Sequence, residues 1–260
     1  MVGARIRTVD LRRPDLRAPF PRGFARKIAG QTVVDLTRRA KYLLATLSSG
    51  DTLLMHLGMS GSFRVSAAPG GAAGKAAESR DPHDHVVFHL DSGADIVFND
   101  PRRFGVMDLV PRGELERHPA IGALGPEPLS DAFDAAALAA ACAGKRTSLK
   151  AALLDQRVVA GLGNIYVVEA LHLAGLLPQR RASTIATPGG APRDAAHRLT
   201  KAIKQVLLDA IARQSADYRS DRFRVYDRQG QRCRRRRCIG VIRRRTQGGR
   251  SSFFCPVCQR

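Results

Sequence analysis

Two cysteine pairs near the end of the sequence constrain this chain more than any other feature. Cys233 and Cys238 frame four arginines, and Cys255-Pro256-Val257-Cys258 follows after a stretch long enough for a β-hairpin. Two close pairs, each on a tight turn, are what a tetrahedral zinc ion requires. The first pair has the spacing C-x4-C and the second C-x2-C; both fall within known zinc spacings. The connecting stretch ends in Gly248-Gly249-Arg250-Ser251-Ser252-Phe253-Phe254, which places an arginine near a turn, beside the metal. Disulfides are the alternative for these four thiols. The N-terminus has no apolar signal core, so an intracellular, soluble, cytoplasmic protein is expected, in which thiols stay reduced. Cys142 lies in an Ala-rich helical run and reads as a small buried apolar residue.

Charge narrows the partner. The net charge is +20, and residues 221–260 hold thirteen arginines against two acidic residues. A charge excess concentrated on a zinc ribbon suits a phosphate backbone. Apolar residues make up 44% of the chain, enough for packed cores, and no run has the length of a membrane span.

Residues 1–112 read as β. Tyr42–Leu47, Thr52–His56, Ser62–Val65, His85–Leu90 and Asp95–Phe98 are short apolar segments bounded by Gly, Ser or Asp. Such strands at close spacing predict a sandwich or barrel. The Gly/Ala/Ser-rich stretch from Ala67 to Ser79 predicts a surface loop. Beyond it, helices are expected over Ser130–Ala143, over Ser148–Asp155 with Ser148 as N-cap, over Asn164–Ala174 with a stop at Gly175, and over Arg193–Gln214.

Four more segments stand out. Gly161-Leu162-Gly163-Asn164 opens a helix, where unpaired N–H groups favour a phosphate, and Lys145, Arg146 and Lys150 lie just upstream. Lys41 stands at the entrance to a strand. Met59 lies near the tip of a Gly-flanked turn, and Arg102 and Phe104 share another turn. Core packing is the competing reading for Met59 and Phe104, and a solvated charge for Lys41. His83 and His85 look like a metal pair, but no further ligand lies near them in sequence.

Together these segments resemble the formamidopyrimidine-DNA glycosylase (Fpg/Nei) family of base-excision repair enzymes. The resemblance runs in order through RRAKYLL, HLGMSGSFRV, HDHVVF, NDPRRFG, LGPEPLS, LLDQRVVAGLGNIYVVEALHLAG and VIRRRTQGGRSSFFCPVCQR. It implies an α+β architecture with a β-sandwich over 1–115, a helix–two-turn–helix domain over 125–222 and a β-hairpin zinc finger over 223–260. It implies a monomer that binds duplex DNA in the cleft between domains, in a bacterial cytoplasm at the nucleoid. The substrate would be an oxidised purine or an abasic site, with the damaged nucleotide flipped out of the stack. Met59, Arg102 and Phe104 match residues that fill the vacated space. Lys41, Asn164 and Arg250 match residues that grip the flanking phosphates, and Lys41 and Arg250 also match proton donors in strand cleavage. His83, Arg102 and Lys145 match further DNA contacts. Cys233, Cys238, Cys255 and Cys258 match the ligands of one structural Zn2+.

The sequence departs from the family pattern in two places. The family's catalytic proline and glutamate stand in an N-terminal Pro-Glu-Leu-Pro-Glu-Val-Glu motif, and Met1-Val2-Gly3-Ala4-Arg5-Ile6 aligns after it. The region from Ala212 to Arg222 is also shorter than the family's lesion-covering loop. A non-catalytic paralogue that binds damaged or abasic DNA is therefore the alternative expectation, and an RNA-binding zinc ribbon is a third. Lys41 could attack an abasic aldehyde already exposed, a weaker route to imine chemistry.

Overall fold

A computed structural model describes residues 1–66, 81–213 and 223–260. The predicted loop over 67–79 and the shortened stretch up to Arg222 lie outside the described residues, apart from 212 and 213. The chain forms two units, Met1–Gly122 and Ala123–Arg260.

The first unit is a β-sandwich of two antiparallel sheets. One sheet runs β1 (Ile6–Leu11), β6 (Asp84–Leu90), β7 (Asp95–Asn99), β5 (Ser62–Ser66). The other runs β2 (Val33–Arg39), β3 (Tyr42–Leu47), β4 (Thr52–His56), β8 (Val106–Val110). Alternation along each strand sends Ala45, Leu47, Leu53 and Met55 from one sheet, and Ile6, Val86, Phe88 and Phe98 from the other, into one buried cluster. A short helix α1 (Phe24–Ile28) adds Phe24 and Ile28 to it.

Five strands stand where the sequence places them. β1 and β2 are legible only in the fold. β1 buries Ile6 and Val9, three positions apart, because its register shifts between Ile6 and Thr8, and this breaks the period of two. β2 buries Val33 alone: its alternating apolar residues Val34 and Leu36 face solvent, and it ends in two arginines, so it does not read as a half-buried strand.

The second unit is helical around Phe133, Leu138, Leu149, Leu153, Val167 and Leu199. α2 (Ala135–Cys142) starts later than expected, because the Asp134 carboxylate accepts the Ala137 N–H at 2.7 Å and caps the helix there. α3 (Leu149–Leu154) has the expected cap, with Ser148 Oγ accepting the Ala151 N–H at 3.2 Å. α4 spans Asn164–Ala174 and stops at Gly175, whose φ of 74° is the left-handed conformation that favours glycine. α5 spans Asp194–Ala212. Cys142 is fully buried, and burial pushes its thiol up to about 11.

The hairpin of β9 (Arg243–Gln247) and β10 (Arg250–Phe254) follows. Gly248 and Gly249 both have positive φ, as a two-residue hairpin turn demands. Phe253 and Ile242 pack with Val168 of α4 and with Val225, joining the finger to the helices. The carboxylate of Glu169, on α4, accepts the N–H groups of Arg224, Val225 and Tyr226 and fixes the chain that enters the finger.

Candidate functional site

Three loops meet at one end of the second sheet in the first unit, and register is the reason. Tyr42, at the start of β3, pairs with His56, at the end of β4, and His56 pairs with Val106, at the start of β8. The loops carrying Lys41, Met59, and Arg102 with Phe104 therefore leave the sheet side by side. Lys41 occupies the two-residue turn between Arg39 and Tyr42, where Ala40 has φ 53°. Beside it, the Tyr42 and His56 rings lie 4.9 Å apart. Burial lowers the His56 pKa, and the charges of Lys41 and Arg17 lower it further.

Asp100 ties the other two loops together. It is fully buried, and one carboxylate oxygen accepts Ser60 Oγ at 2.6 Å and the Arg102 N–H at 3.3 Å. The other accepts the Gly105 N–H at 2.8 Å, while the Asp100 carbonyl lies 2.9 Å from His85 Nε2. Gly58 makes the close approach possible: its φ is 68°, and a Cβ there would lie 2.5 Å from the Phe104 carbonyl carbon. Held this way, Met59 is 72% exposed and Phe104 39% exposed. The Arg102 guanidinium stands 4.6 Å over the Phe104 ring. The core-packing alternative for Met59 and Phe104 thus fails. His83 is exposed on the same loop system while His85 is buried, so the two do not form a metal pair.

In the second unit, three side chains converge on β10. Asn164, at the first turn of α4, donates from Nδ2 to the Ser251 carbonyl at 3.1 Å. Lys150 on α3 donates to the same carbonyl at 3.0 Å and to Ser252 Oγ at 2.7 Å. Arg250 is exposed at the head of β10. A cleft of 670 Å³ lined by Ser148, Lys150, Ala151, Gln247, Gly248 and Arg250 opens there. Lys150 corrects the sequence reading. Grouped there with surface phosphate clamps, it is 1% exposed, and burial, then the charge of Arg250, lowers its pKa to about 8. Lys145 is half-buried near Asp155, whose carboxyl is held low first by hydrogen bonds from Arg157 and least by the charge of Lys145. Gln156 braces the glycine turn, accepting the Gly161 N–H at 2.8 Å and donating to the Leu154 and Leu162 carbonyls.

The four cysteines gather at the other end of the hairpin. Their Sγ atoms all lie within 4.8 Å of one another, with Cys233 to Cys258 at 3.7 Å and Cys238 to Cys255 at 3.6 Å. A tetrahedron with Zn–S bonds of about 2.3 Å has S–S edges of about 3.8 Å. None of the four is in a disulfide. Burial and the neighbouring sulfurs push the Cys258 thiol far up, so four thiolates sit together only around a cation.

The family model described as formamidopyrimidine-DNA glycosylase N-terminal domain matches residues 1–107. The model described as its H2TH domain matches residues 124–221. A formamidopyrimidine-DNA glycosylase of Bradyrhizobium sp. strain BTAi1 is 58% identical over 280 residues, covering 100% of this chain and 94% of that protein. The chain belongs to the formamidopyrimidine-DNA glycosylase family. Another glycosylase of that name, from Rhodopseudomonas palustris strain BisA53, is 56% identical over 277 residues with the same coverage. The solved glycosylase of Lactococcus lactis, non-covalently bound to DNA containing an AP site, superposes with a TM-score of 0.86 at 27% identity. It covers 100% of this chain and 94% of that one. MutM in complex with DNA containing carbocyclic 8-oxo-G gives the same score and identity. The formamidopyrimidine-DNA glycosylase fold thus holds across both units, and the loop set on Asp100 and the side-chain set on β10 are its local anatomy here.

Two outcomes follow from the geometry. Asp100→Asn replaces an acceptor oxygen by a donor against the backbone N–H groups of Arg102 and Gly105, which can only donate, and should cost about 1–3 kcal/mol. Urea unfolding reads the loss, and hydrogen exchange at the Gly105 amide should speed up; unchanged protection there would show that Asp100 does not hold the turn. The Lys150 pKa, lowered in the folded chain, makes the unfolded chain bind the extra proton between pH 8 and 10.5. Its contribution to stability is complete above 10.5 and is lost as pH falls through 8. The melting-temperature difference between the parent and Lys150→Met should therefore move in the parent's favour as pH rises across that window. A flat difference would contradict the burial.

Proposed function

We propose that this chain recognises duplex DNA carrying an oxidised purine or an abasic site, as a glycosylase/AP lyase of base-excision repair. The observation that carries the reading is Arg102 stacked over Phe104 beside an exposed Met59, on loops locked by one buried carboxylate. An apolar wedge and a planar cation can replace a base that has left the stack. Lys41, on the neighbouring turn, suits a flanking phosphate and a proton-transfer role in strand cleavage. Asn164 and Arg250 suit the phosphates on the finger side, Arg250 with a second proton-donor role, and His83 and Lys145 extend the contact. Support for the partner comes from the relatives: Lactococcus lactis glycosylase is solved with abasic-site DNA and MutM with 8-oxo-G DNA.

The four cysteines suit one structural Zn2+, which would cross-link the finger and supply no chemistry to the DNA. The family's imine-forming proline and its glutamate are not among Met1 to Ile6. Binding and base removal draw on different residues, and a damaged- or abasic-DNA binder without cleavage is the second reading.

Borohydride trapping on an abasic duplex separates the two. With a Pro-Glu-Leu-Pro-Glu-Val-Glu segment joined ahead of Met1, the chain should trap covalently on the first reading and bind without trapping on the second. Arg250→Ala should weaken binding and lower the slope of log K against log salt by about one. Equal affinity for RNA, intact duplex and abasic duplex would sink the DNA-repair reading.

A further inference from the structure

His172, in the last turn of α4, is 1% exposed, and its Nε2 lies 3.3 Å from Cys233 Sγ and 3.8 Å from Cys258 Sγ. Those two sulfurs are 3.7 Å apart, so the imidazole sits over one edge of the sulfur tetrahedron. Among the described residues the mutually close group holds only the four cysteines, so His172 flanks the cluster without belonging to it.

The ring's other nitrogen decides the tautomer. Nδ1 is buried and has no hydrogen-bond partner. A proton on Nδ1 would be buried without an acceptor, and the Nε2 lone pair would face sulfur lone pairs. A proton on Nε2 gives the two sulfurs a donor and leaves only a lone pair unpaired, the smaller cost.

Arg235 makes the reciprocal tie. Its backbone N–H donates to Cys233 Sγ at 3.4 Å. Its guanidinium donates to the carbonyls of His172 and, at 3.2 Å, Leu173. These are among the last carbonyls of α4, where a cation is favoured. The helix thus lends an imidazole to the sulfurs, and the cysteine turn lends a guanidinium to the helix end.

We propose that His172 is a positioning residue of the metal centre: its Nε2–H hydrogen-bonds the Cys233 and Cys258 thiolates and couples the metal to α4, the helix that begins at Asn164. This rests on the reading that the four cysteines hold zinc. Four thiolates around one divalent cation carry excess negative charge, and a buried N–H donor spreads it while fixing the sulfur positions. Outer donors of this kind are worth about 10–100-fold in metal affinity.

The test uses the full zinc-loaded chain, its zinc content measured first, and follows zinc release to a chromogenic chelator. His172→Phe keeps the planar shape and loses the donor, so release should be about 10–100-fold faster. His172→Gln restores a donor and should recover part of the loss. With Co2+ in place of zinc, the parent and the Phe variant should both show four-thiolate charge-transfer intensity, shifted to lower energy in the variant. Nitrogen NMR of the unmodified zinc-loaded chain should show Nε2 protonated and Nδ1 bare, a readout that needs no variant to fold. Normal zinc content with release within twofold of the parent, or an Nδ1–H tautomer, overturns the inference alone. A three-thiolate Co2+ spectrum in the parent would make His172 a ligand and overturn it too. A chain that takes up no zinc overturns the metal reading and this inference with it.

Discussion

Everything at the finger depends on four sulfurs being held within 4.8 Å of one another. The hairpin is only two strands, and two strands alone are at best marginally stable in water. Its apolar contribution is small: Ile242 and Phe253 reach the cluster with Val168 and Val225, while Arg243, Arg244 and Arg245 face solvent. Seven arginines fall between 234 and 245 in the sequence, and like charges so concentrated oppose folding of the finger. The four clustered thiols could hold a metal ion; bound as thiolates around it, they would offset that repulsion and close the base of the hairpin. The opposite end then presents Arg250 beside Lys150 and Asn164, both anchored on the Ser251 carbonyl.

A similar logic governs the first unit, with a carboxylate in place of a metal. Asp100 is buried and accepts from Ser60, Arg102 and Gly105. Several N–H and O–H donors meeting on one carboxylate fix two loops at once. The exposed groups that would meet DNA, Met59 and the Arg102–Phe104 stack, are positioned by buried groups that would not. Such placement suits recognition, because the wedge is ordered before the ligand arrives.

Local patterns were legible in the sequence, and long-range pairing was not. The helix Asn164–Ala174 could be read to the residue, because a glycine turn opens it and Gly175 ends it. The cysteine spacing named the cluster, and five strands announced themselves by short apolar runs. β2 was hidden because it buries one side chain, and β1 because a register shift breaks its alternation. Lys150 looked like a surface cation because its partners, Ser251 and Ser252, are about a hundred positions away in the chain. Asp100 carries no local signal beside Arg102 and Phe104, because its part depends on Ser60, forty positions earlier. His172 looked like one more helical residue until the fold set it against Cys233.

If the sulfur cluster positions Arg250 for DNA, loss of the metal should cost affinity. The direct measurement is the affinity for an abasic duplex of the zinc-loaded chain and of the same chain stripped by a chelator, at one salt concentration. Stripping should weaken binding by at least about tenfold, a change of about 1.4 kcal/mol, and added zinc should restore it. An unchanged Kd after complete zinc removal would contradict it.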